Sequence, residues 1–143
     1  MFAPSQEEVR RFFCGAWAKQ LAVQPLTPLE ALAVDWITQH PEYHGDLSDV
    51  EAAIAAQFKV EEGRTNPFLH LSMHLSITEQ TSIDQPRGIK AAVERLAHRR
   101  ASLHEAHHEV MEALGQMVWA SQRSGQPFDG EAYIAEILAR ASR

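Results

Sequence analysis

Apolar residues recur at helical spacing along most of the chain. Val9, Phe12, Phe13, Ala16 and Trp17 follow an i, i+3, i+4, i+7, i+8 pattern, which predicts one buried helical stripe. Ser5-Gln-Glu-Glu8 precedes it as a capping box, and Pro25 ends the segment. Thr27-Pro28-Leu29-Glu30 supplies a second start: an N-cap hydroxyl, proline at the first helical position and glutamate at the third. Glu30 therefore reads as a cap, not as an acid or base. Leu29, Leu32, Ala33, Trp36 and Ile37 form the next expected stripe. His40 continues it by spacing and should face inward, while Pro41 disfavours α geometry at His40 and bends or ends the helix.

Further starts follow. Ser48-Asp-Val-Glu51 opens a short helix carrying Val50, Ile54 and Phe58, and Glu61 to Thr65 reads as a loop. Asn66-Pro67 begins a fourth helix. Within it Leu69, Leu71, Met73, Leu75 and Ile77 alternate, which is a strand signal, but the capped start and the helix-forming Leu and Met favour a helix to Ile83. Being apolar nearly all round, it is expected at the centre of a bundle, with His70 and His74 inside. Asp84-Gln-Pro-Arg-Gly88 is a turn; a structural role fits it better than anion or partner binding. Ile89, Ala92, Val93, Leu96 and Ala97 mark a fifth helix, and a break near Ala101-Ser102 leads to a sixth from Leu103 to Ser124, closed by Gly125 and Pro127. Asp129 caps a last helix bearing Tyr133, Ile134, Ile137 and Leu138, with Phe128 and Tyr133 at staple positions. The expected fold is all-α: one helical domain over residues 1–143, with a four-helix core and shorter peripheral helices.

Bulk properties narrow the function classes. At 143 residues, 45% hydrophobic and 22% charged, the chain can bury a proper core. A net charge of -6 disfavours nucleic acid, and the basic stretch Arg95 to Arg100 reads as a solvated helix face. Cys14 is the only cysteine, so no internal disulfide or thiolate cluster can form; it reads as a small buried hydrophobe. No signal-peptide pattern and no membrane-length apolar run is present, so a cytoplasmic location is expected. There is no phosphate-binding Gly-rich loop and no G-x-S-x-G. A protein partner, a small molecule and self-association all stay open.

The histidines carry the candidate chemistry. Eight occur, and most fall at helix-like spacings: His40 and His44, His70 and His74, then His104, His107 and His108. Residues four apart share a helix face, so two imidazoles can reach one ion at about 2.0–2.1 Å each. His108 and Glu112 repeat that spacing, and Glu105-x-x-His108 matches one half of a di-iron carboxylate motif. Glu79 follows His74 by five residues and joins the same site only through a local bulge, or as a partner hydrogen-bonded to a ligand. Oxygen and nitrogen donors without sulfur suit zinc, iron or manganese. His70, His74, His108 and Glu112 are the primary candidates, His44 and His40 secondary, and such a site supports attack by metal-activated water or oxygen. The alternative is a non-enzymatic interaction or regulatory module whose histidines form a buried hydrogen-bond network. His104 and His107 read as solvated residues beside Glu105 and Glu109.

His40-Pro-Glu-Tyr-His44, Asn66-Pro-Phe-Leu-His70, His74 through Glu79-Gln80 and Asp84-Gln-Pro-Arg-Gly-Ile89 together resemble a bacterial domain-of-unknown-function family, number 1841. His108 to Glu112 and the later Trp119, Gln122 and Arg123 belong to the same resemblance, which covers nearly the whole chain. It implies a small bacterial cytoplasmic protein and carries no established activity. It also weights His40, His44, His70, His74, Glu79, His108 and Glu112 over His98, His104 and His107.

Overall fold

Caps set the helices. In the computed structural model, which describes residues 5–59, 63 and 65–143, Ser5, Thr27, Asp49, Asn66, Ser102 and Asp129 each accept a hydrogen bond from a backbone N–H of the following first turn. They open α1 (Gln6–Leu21), α2 (Pro28–Thr38), α3 (Val50–Ala55), α4 (Pro67–Ile83), α6 (Leu103–Ser124) and α7 (Gly130–Ala141). α5 (Ile89–Arg100) is opened instead by Asp84, whose Oδ1 accepts from the amides of Gly88 and Lys90. A short 3-10 helix, Pro41–Tyr43, completes the set. The fold is all-α, and the described residues contain no strand. The expected loop Glu61 to Thr65 lies largely outside the described residues, which there include only Gly63 and Thr65.

The alternation between Leu69 and Ile77 resolves as helix. Phe68, Leu71, His74 and Ile77 are buried at steps of three, while Leu69 is exposed. Asp49, not Ser48, caps α3, and Phe58 lies beyond that helix. The chain divides into two compact units, Met1–Leu75 and Ser76–Arg143.

In the first unit, Phe13, Ala16 and Trp17 of α1, Ala33, Trp36 and Ile37 of α2, Leu47, and Phe68 and Leu71 of α4 form one apolar cluster. The buried face of α2 is turned by one residue from the expected stripe: Leu29 and Leu32 are exposed, whereas Glu30 and Val34 are buried. The capping box explains the turn. Glu30 binds the Thr27 amide at 2.9 Å and pairs with Lys19 of α1 at 2.9 Å, so this face of α2 turns to α1. Those same bonds hold the Glu30 carboxyl below its usual pKa, the backbone bond first. Arg10 closes the C-terminal end of α3, donating to the carbonyls of Ala53 and Ala56 at 2.7 and 2.8 Å beneath the rings of Phe58 and Phe68. Cys14 is buried, and burial raises its thiol pKa.

In the second unit, Ile77, Ile89, Ala92, Val93, Leu96, Val110, Tyr133 and Ile137 are buried. The Tyr133 hydroxyl donates to Gln80 at 2.8 Å, and the Phe128 ring meets Tyr133 edge-on, as the staple positions require. Arg100 binds Glu109 and the carbonyls of Arg140 and Arg143. Ala101, with φ +56°, breaks the chain between α5 and α6.

His107 of α6 is buried, contrary to its reading as a solvated residue. Burial, then the neighbouring imidazoles of His104 and His108, lowers its pKa from 6.5 to about 4. The unfolded chain then binds a proton that the native state refuses. The stabilising contribution is present above pH 6.5 and is lost as pH falls from 6.5 toward 4. His107→Gln should remove about 3 kcal/mol of the acid-dependent loss over that range, read from urea unfolding midpoints at successive pH values.

Candidate metal centre

The first unit assembles a histidine triad. α2 ends at Thr38, two residues before His40 and three before Pro41. His40 itself has φ -125° and ψ 66°, outside helical geometry, as the following proline demands. Its ring turns back so that Nδ1 lies 2.7 Å from the Trp36 carbonyl oxygen. A carbonyl only accepts, so Nδ1 carries the proton and donates it. In the neutral imidazole the lone pair is then on Nε2.

Two further imidazoles meet that lone pair. His70 Nε2 is 3.2 Å and His74 Nε2 3.3 Å from His40 Nε2. His70 and His74 are one helical turn apart on α4, with ring centroids 4.8 Å apart. His40 and His74 are almost fully buried, and His70 is partly so. Aromatic rings hold the set: Trp36 stacks on His74 at 4.0 Å, Tyr43 stacks parallel to His40 at 5.2 Å, and Tyr43 meets His70 edge-on at 5.7 Å. Burial raises the Tyr43 pKa, with Glu42 and Asp46 adding to it. His40 and His74 belong to a histidine group whose ring nitrogens lie within 4.8 Å of one another, close enough to hold a metal ion.

The remaining candidates are placed as follows. His44 donates or accepts elsewhere: its Nε2 is 2.9 Å from the Ile37 carbonyl, so it donates there, and its ring packs on Trp17 at 4.4 Å. In the second unit His104 and His108 pair on α6, with ring centroids 4.4 Å apart. His104 is half-buried, against the expectation of a solvated side chain. Glu112 lies on the surface and binds Arg140 at 2.7 Å, and Glu79 and Glu105 are exposed. Glu109 answers Arg100.

Sequence reasoning missed Trp36 and Tyr43 as parts of the site. A signal existed for both. Trp36 stands four residues before His40, and Tyr43 lies inside the His40-Pro-Glu-Tyr-His44 segment.

The family model for a domain of unknown function, DUF1841, matches residues 5–139. The chain belongs to the DUF1841 family. The searches of curated proteins and of solved structures return no match. No activity comes with the DUF1841 assignment, so the geometry has to carry the functional argument.

The described residues of this DUF1841 chain contain no helix long and apolar enough to cross a membrane. Because Glu112 is exposed and Arg140 keeps Glu136 at 2.9 Å, Glu112→Gln should lower stability by less than about 1 kcal/mol in urea unfolding.

Proposed function

We propose that this protein binds a divalent transition-metal ion through His40, His70 and His74. One observation carries the reading: two nitrogen–nitrogen separations of 3.2 and 3.3 Å meet at a single His40 lone pair. That lone pair can accept one good N–H bond, not two. Two ligands about 2.0–2.1 Å from a tetrahedral ion would sit about 3.3 Å apart. Right-angle ligation at the same bond length would bring them to about 2.9 Å. The spacing therefore favours a tetrahedral ion, and a donor set without sulfur is compatible with zinc ahead of iron and manganese. The Nδ1–H bond from His40 to the Trp36 carbonyl is the kind of contact that fixes the tautomer of a metal-binding imidazole. That nucleic acid is not a partner belongs to the same proposal and is supported by the net charge of -6.

A second reading has its own support. Every fully buried side-chain nitrogen and oxygen among the described residues has a hydrogen-bond partner, as a histidine network requires. Elemental analysis separates the two. The purified, untagged protein should hold about one equivalent of metal after zinc reconstitution and desalting. His40→Ala and His70→Ala should each lose most of it, whereas His44→Ala should keep it. Cobalt(II) in place of zinc should give the intense visible bands of tetrahedral ligation, and His108→Ala measured alongside decides whether that histidine adds a ligand. Metal at background level in the reconstituted parent protein would leave the histidines as a hydrogen-bonded network.

A further inference from the structure

Within the first unit, α4 docks on the apolar cluster through Phe68 and Leu71. The next buried position on that face is His74, one turn further along. At this turn a polar nitrogen replaces the apolar contact, and it faces His40. His40 stands just past the end of α2, and 29 residues separate it from His70. That interval holds the 3-10 helix, α3 and the Arg10-closed segment that follows it.

We infer that the ion acts as a clasp: zinc binding ties the end of α2 to the first two turns of α4 and thereby closes the chain between them. The inference rests on the metal-binding reading above. A bond from His40 to both His70 and His74 through one ion is a cross-link, and cross-links act by removing the freedom of the loop they close. His70 and His74 are on one helix, so their shared ion adds little to α4 alone. His40 is the ligand that makes the link long-range. The aromatic contacts agree with this role. Tyr43, in the 3-10 helix, stacks on His40 and meets His70, so ordering the triad also orders the start of the closed segment. Trp36, on α2, stacks on His74 of α4, so the end of α2 meets α4 through this ring as well. The ligand is a free divalent ion of the zinc type, and the response is ordering of residues 40–47 and 69–75.

The test is hydrogen exchange on the full-length protein, stripped with a chelator and then given equimolar zinc. Zinc should slow exchange at least tenfold over residues 40–47 and 69–75 and leave α7 unchanged, with a rise in melting temperature of roughly 8 °C at a hundredfold excess over Kd. His70→Ala should fold like the stripped parent, because Phe68 and Leu71 still dock α4, and should show none of the zinc-dependent slowing. If that variant does not fold, the stripped parent remains the comparator. Equimolar zinc bound with unchanged exchange over both segments would overturn the clasp while the metal site stood. Absence of binding would overturn the metal site and the clasp with it.

Discussion

The proton on His40 Nδ1 is the constraint from which the site follows. The Trp36 carbonyl is within reach because α2 ends at Thr38: there it accepts the Gln39 amide at 3.2 Å, while the His40 amide goes to Ile37. The His40 ring adds its own N–H to that oxygen at 2.7 Å. Pro41 makes this possible by holding His40 out of helical geometry, so its side chain can swing back over the helix end. Once Nδ1 is committed, Nε2 must present a lone pair to the interior. α4 then supplies two imidazoles from one face at that point. A helix terminus, a proline and a tautomer thus become one converging donor set.

Much of this was legible in the sequence where local chemistry decides structure. Thr27-Pro28-Leu29-Glu30 forms the full reciprocal capping box, and the sixth helix runs from Leu103 to Ser124 as its flanking Ser102 and Gly125 imply. The inward position of His40 followed from spacing alone. What the sequence could not show were choices made by tertiary partners. Glu30 turned α2 by one residue because Lys19 of α1 was there to receive it. Asp49 took the α3 cap from Ser48, whose hydroxyl bonds back to Gly45 instead. The pairings of the histidines likewise depended on distant elements. His40 and His44 look equivalent by spacing, yet the structure sends one to α4 and the other to the Ile37 carbonyl.

Carboxylates show the same rule from the opposite side. Glu112 lies four residues after His108, a spacing suited to a shared ligand pair, but Arg140 is nearly buried and needs counter-charge. It draws Glu112 and Glu136 at 2.7 and 2.9 Å. Arg100 takes Glu109 in the same way. A buried guanidinium cannot shed its charge, so it outcompetes neutral imidazoles for nearby acids. His107 responds through its protonation instead. It is buried on the same helix, and its pKa falls because the neutral form is the one that burial tolerates.

This division of partners bears on what an ion in the triad would be like. Three neutral imidazoles would leave the charge of a divalent cation uncompensated in a nearly dry setting, since His40 and His74 are buried and Trp36 and Tyr43 wall the rings. In such a setting the remaining charge would be strongly felt by whatever completed the coordination. The aromatic walls add to this by excluding solvent that would otherwise screen the charge. A carboxylate in the set would have quenched the effect.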